Sequence, residues 1–108
     1  KFRASEAGLK EKYESILRST ELRQKLQNIL QTSSSPAQAL ESLTSFIDNE
    51  KPAGALLQES LFYKGAMLFE TENKAEAKTA LLAAKEVDPD SQIGQRVDAI
   101  IKQFFSEE

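Results

Sequence analysis

The chain has 108 residues, 40% apolar and 29% charged, with a net charge of −3 and neither His nor Cys. That length supports one modest core, and no apolar run approaches the roughly 18 to 20 residues that span a bilayer. The missing residue types exclude disulfides, thiolate metal sites and imidazole bases, and the acidic balance argues against a nucleic-acid surface, which is usually basic with clustered Lys and Arg.

The charge is unevenly spread. Lys1 to Gln31 carry seven Lys/Arg against four Glu, and the remaining residues carry seven against thirteen Asp/Glu. The basic amino end reads as a solvated helix docking on an acidic body, or as a segment that follows a membrane anchor outside this chain. The first residue is Lys1 rather than an initiator Met, which implies a processed amino end. The compartment therefore stays open between cytoplasmic and exported or periplasmic.

Strand signals are missing: there is no Asn-Gly or Asp-Gly turn and no sustained alternation of β-branched residues. The first predicted helix runs from Glu6 to Arg18, with Leu9, Tyr13, Ile16 and Leu17 on one side. The apolar phase then shifts at "RST", which predicts a turn or kink near Ser19 and a second helix capped by Thr20, carrying Leu22, Leu26, Ile29 and Leu30. "TSSSP" is a loop whose last Ser caps a third helix with Pro36 in its first turn, where the missing N–H costs nothing. That helix shows Ala39, Leu43, Phe46 and Ile47 and stops by "DNEKP".

The fourth helix, Ala53 to about Thr71, carries one stripe of Leu57, Leu61 and Leu68 and a second of Phe62, Ala66 and Phe69. A helix apolar on two sides is packed on two sides. The fifth, with Asn73 as its cap, places Ala77, Leu81 and Ala84 inward. The sixth, from about Ser91 to Phe105, has Ile93, Val97, Ile100, Ile101 and Phe104 in a wide one-sided stripe.

The segment "LFYKGAMLFETENKAEAKTALLAAKEVDPDS" resembles a tetratricopeptide repeat, a helix-turn-helix unit of about 34 residues with large and small residues at fixed places. In that frame the unit is Gln58–Ser91. Leu61 and Leu68 are its bulky first-helix residues and Gly65 the small one between them. Ala77, Leu81 and Ala84 follow on the second helix, and Pro89 closes the unit. Gly65 and Ala77 leave room for two antiparallel helices to approach, and Pro89 stops one helix running into the next. Lys64 stands where Leu is usual, and Glu72 where Gly is usual at the turn. A degenerate unit is read upstream, because Ala37, Ala39, Leu43 and Phe46 repeat as Ala75, Ala77, Leu81 and Ala84 at an offset of 38 residues.

The resemblance implies an all-α, antiparallel helical hairpin array of five or six helices. Its divisions are a basic amino-terminal helix over 1–19, a degenerate hairpin over 20–51, the repeat unit over 52–90 and a capping helix over 91–108. It further implies a non-catalytic interaction or scaffolding module that holds a protein or peptide in a groove lined by Glu59, Phe62, Ala66, Phe69 and Glu70. Those residues make the groove apolar with an acidic rim, unlike the basic surface that clamps acidic chaperone tails. The same aromatics could instead be covered by the chain's own helices, or the basic amino-terminal helix could lie in the groove of its own chain or of a neighbour in a homodimer. Rival readings are an accessory domain of a larger exported, membrane-anchored or enzymatic protein, and a self-associating helical bundle.

No catalytic, cofactor-binding or metal-binding residues are expected. The glycines Gly8, Gly54, Gly65 and Gly94 are isolated, so no phosphate-cradling loop forms. "DPD" at Asp88 to Asp90 lacks the further oxygen ligands and the Gly of a calcium loop.

Overall fold

A computed structural model describes the backbone of residues 2–105 and, among side chains, Glu14 and residues 17–105. Five helices follow one another: α1 (Phe2–Thr32), α2 (Pro36–Glu50), α3 (Gly54–Glu70), α4 (Lys74–Val87) and α5 (Gln92–Phe104). The described residues contain no strand, so the fold is all-α.

The break predicted at Ser19 does not occur: α1 runs through it without interruption. Ser and Thr cost a helix interior only a few tenths of a kcal/mol relative to Ala, too little to stop a helix held on both sides of that point. Arg18 donates to the Glu50 carbonyl at 2.9 Å, Lys25 meets the Glu50 carboxylate at 2.9 Å, and Arg23 meets Glu59 at 2.7 Å. Leu22 and Leu26 are buried, whereas Leu17, one turn earlier, is 45% exposed. The side chains of Leu9, Tyr13 and Ile16, read as one face of a first helix, lie outside the described residues.

Helix ends follow local chemistry. Ser35 caps α2 by accepting from the Gln38 N–H at 3.2 Å, and the Gln38 carbonyl oxygen reaches back to the Ser34 N–H at 2.7 Å. This is a reciprocal cap with Pro36 just inside it. Asn73 stands at the cap position of α4, but its amide donates to Thr71 at 3.1 Å and makes no capping bond. The backbone of Asn73 also closes the end of α3. Its N–H bonds the Leu68 carbonyl at 2.8 Å while the Glu72 N–H bonds Phe69 at 3.1 Å, the Schellman pattern. Glu72 accordingly sits at φ 67°, in left-handed space where glycine is the easy residue.

Helix α3 is the shared member of two cores. Toward α1 and α2 it presents Leu56, Tyr63 and Met67, which pack with Leu22, Leu26, Leu43 and Phe46. Toward α4 and α5 it presents Leu61, Phe62, Leu68 and Phe69, against Ala77, Leu81, Ala84 and Val97. Two-sided packing is as the sequence reading has it, but the faces differ: Leu61 and Leu68 of one stripe and Phe62, Ala66 and Phe69 of the other all belong to the α4–α5 side. The other side, from Leu56 through the buried Ser60 to Met67, is missed because Ser60 interrupts the apolar pattern. The Ser60 hydroxyl donates to its own helix, at the Leu56 carbonyl 2.7 Å away, so burying it leaves no orphan donor.

α3 and α4 touch at Gly65. A β-carbon there would lie 2.7 Å from Leu81 Cγ and Cδ2 and 3.3 Å from the Leu81 backbone nitrogen, so glycine lets the two helices close. α5 is then fixed by a polar clasp. The buried Gln58 amide donates to the carbonyls of Ala84 and Asp88, both at 2.9 Å, at the open end of α4. Its oxygen accepts from the Ser91 hydroxyl at 2.8 Å, and Ser91 in turn caps α5 by accepting from the Gly94 N–H at 3.0 Å. A β-carbon on Gly94 would fall 2.5 Å from the Asp88 carbonyl oxygen and 2.6 Å from that of Pro89. On the outside, Lys85 and Lys102 flank Asp98 at 3.0 and 3.4 Å. Hydrogen bonding to Lys85 first and to Lys102 second holds its carboxyl below the usual carboxylate range.

Two outcomes test this account. Gly65→Ala is expected to cost about 1–3 kcal/mol by overpacking. Gly94→Ala should cost more, because it strikes backbone rather than a movable side chain. Each kcal/mol lowers the midpoint of a thermal melt by about 4–8 °C in a domain of this size, and an unchanged melt for both variants would contradict the close approaches. Gln58→Leu roughly keeps the side-chain volume but strips the buried Ala84 carbonyl of its donor and leaves the Asp88 carbonyl to Ser91 alone, a loss of about 1–3 kcal/mol. A Gln58→Leu chain as stable as the parent in urea unfolding would show the clasp to be dispensable.

Candidate functional site

Phe62 and Phe69 are seven residues apart on α3, about two turns, so they point the same way, with the small Ala66 between them. The clasp sets α5 beside this face. Ile100 and Phe104, one turn apart, form the opposite wall, and Leu81 of α4 lies at the base. Together with Glu70 these residues enclose an apolar depression of about 250 Å³.

The aromatic rings at its end are packed against one another. Phe69 meets Phe104 with centroids 5.4 Å apart and planes at 60°, and meets Phe105 edge-on at 6.0 Å. The Lys74 ammonium stands 5.9 Å from the Phe69 centroid. Phe105 is 5% exposed and Phe104 53%, so neighbouring residues divide the work. Phe105 anchors the end of α5, and Phe104 turns its ring to water beside the depression.

Of the groove residues inferred from the sequence, Phe62, Ala66, Phe69 and Glu70 come together here. Glu59 does not line the depression; its carboxylate is held by Arg23 of α1. Phe62 and Phe69 are half-buried, so the chain's own α5 covers part of the surface and leaves part open. Ile100 and Phe104 were read from the sequence as one stripe of core-facing residues. Their role as a wall could have been suspected from their place at the edge of that stripe, one turn apart. Gln58, which positions the wall, gives no sequence signal beyond being a polar residue at a buried helical register.

The lining offers one carboxylate and otherwise carbon. Among the described residues no three acidic side chains converge to hold a metal ion, and no buried side-chain polar atom lacks a partner. What this surface does chemically is exclude water from an apolar group placed on it. A larger furrow of about 500 Å³ between α1 and α2 is lined mainly by polar residues, among them Lys25, Asn28, Glu41, Ser45 and Asn49. No family model, curated protein or solved structure matches the chain.

The division of labour between the two terminal aromatics is measurable. Phe105→Ala is expected to cost about 3–5 kcal/mol as a buried truncation, and Phe104→Ala under about 1.5 kcal/mol, because half of its surface is already wet. Equal losses for the two in chemical denaturation would show that Phe104 is core rather than wall.

Proposed function

We propose that this chain is a non-catalytic protein-interaction module. In this reading α1–α2 and α3–α4 are two tetratricopeptide-like hairpins, α5 closes the array, and a protein or peptide partner is held on the depression between α3 and α5. Three features support the repeat reading. α1, α3 and α5 each approach the next of their set, and α2 and α4 approach only their flanking helices, never each other. Ala39, Leu43 and Phe46 on α2 are buried at the same places as Ala77, Leu81 and Ala84 on α4. Glu41, Ser42 and Ser45 line a furrow beside α1, as Thr79, Ala80 and Ala83, 38 residues on, line one beside α3.

The observation that carries the functional reading is the exposed Phe104 across from half-buried Phe62 and Phe69. An aromatic on a rigid helix, next to an apolar hollow, leaves unpaid desolvation that a partner's apolar side chain removes. Affinity purification from a native extract with the full chain and with Phe104→Asp, each checked for folding by circular dichroism, tests this. A specific partner retained by the parent and depleted about tenfold, or about 1.4 kcal/mol, by the folded variant is the expected result. Identical capture by both would remove the groove as the binding site. A parent that is dimeric by light scattering, and made monomeric by Phe104→Asp, would favour a self-associating bundle.

A further inference from the structure

The groove has a sign as well as a shape, and its sign names the occupant. Glu70 lines the depression and is exposed. Glu72, also exposed, follows two residues on, in left-handed conformation. Among the described residues neither carboxylate is in an ion pair. Both stand at the carboxyl end of α3, whose last turn holds no basic residue, and a helix carboxyl terminus adds partial negative charge of its own. The cation recorded against the groove's aromatic rings is that of Lys74, poised over Phe69. Glu70 at the rim, Glu72 two residues on and the helix end thus outweigh the Lys74 ammonium beside a hollow that is otherwise apolar. Ala66 between Phe62 and Phe69 makes a hole between two knobs, and α5 raises a second ridge beside it, the relief into which a third helix packs.

From this relief and charge we infer that the occupant is a basic amphipathic helix. It seats a bulky apolar side chain over Ala66, between the phenylalanines and Phe104, and places Lys or Arg against Glu70 and Glu72. This rests on the groove reading above and adds the sign of the partner. Arg suits the position best, because its planar fork meets a carboxylate with two hydrogen bonds while its face stacks on an aromatic ring.

The test uses the full chain and two fluorescently labelled helical peptides with the same Leu face, one with Lys and Arg on its polar face and the other with Glu. Binding is read by anisotropy at low and at physiological salt. The basic peptide is expected to bind at least about tenfold more tightly than the acidic one, with the difference shrinking as salt screens it. The exposed double variant Glu70→Lys with Glu72→Lys should abolish the preference and leave the thermal melt close to the parent's. Equal affinity for both peptides, an unchanged preference in the double variant, or binding of neither peptide would overturn the inference. Phe104→Asp separates the two levels. If the basic peptide binds the folded Phe104→Asp chain as tightly as the parent, it binds elsewhere and the groove reading itself falls. If Phe104→Asp abolishes binding of both peptides and the parent prefers neither, the groove stands and only its sign is wrong.

Discussion

The close approach of α3 and α4, where Gly65 meets Leu81, is the constraint on which the remaining helices depend. With no side chain at Gly65, the α3 backbone comes within van der Waals reach of α4. Leu68, Ala77 and Ala84 then lose their water in one contiguous cluster. Closing the hairpin brings the carboxyl end of α4 alongside Gln58, and so brings the orphan carbonyls of Ala84 and Asp88 to an amide that can donate to both. A wider hairpin would leave the Ala84 carbonyl and the Gln58 amide donor without each other in the interior, at a cost comparable to the whole benefit of a well-packed side chain.

The clasp converts a helix pair into a three-helix platform. Ser91 belongs to both networks, since its oxygen accepts from the first turn of α5 while its hydrogen is shared between Gln58 and the Asp88 carbonyl, 2.8 and 2.9 Å away. Gly94 lets that first turn come down on the carbonyls of the α4–α5 loop. By contrast, the ion pairs that tie α1 to α2 and α3 lie at the surface, where exposed pairs contribute little. The amino-terminal side of the molecule is held by Leu22, Leu26, Leu43, Phe46 and Leu56. The depression therefore sits on the part held by a polar clasp as well as by apolar packing, which would keep the entropy cost of seating the proposed partner small.

Phe69 links packing to recognition. Its ring contacts the buried Phe105 and the exposed Phe104, so the aromatic cluster that ends the core also begins the surface. A fold of this size has too few helices to cover every apolar face of its central one. The face left partly open is the one on which the proposed partner lies.

The sequence by itself determined the helices. Their 3.6-residue periodicity, the Ser35 cap, Pro36 and Pro89 are local signals, and they place α2 to α5 within about one residue of where they lie. It also marked Gly65, Ala77 and Leu81 as a close helix contact, because small and large residues at matched spacing in adjacent helices have few other uses. Only the tertiary structure decided the rest. Ser19 is helical because contacts on both sides of it outweigh a weak local preference. The second buried face of α3 is invisible along the chain because Ser60 and Gln58 look solvent-facing until their hydrogen-bond partners, one within α3 and the others on α4 and α5, are known. Glu59 leaves the groove because Arg23, 36 residues away in sequence, claims its carboxylate. Periodicity puts Phe104 in the inward stripe of the last helix and leaves Phe105 out, and the structure reverses the two, because α5 ends between them. Which ring is anchor and which is wall depends on where α3 stands, and that is a property of packing rather than of any segment of the chain.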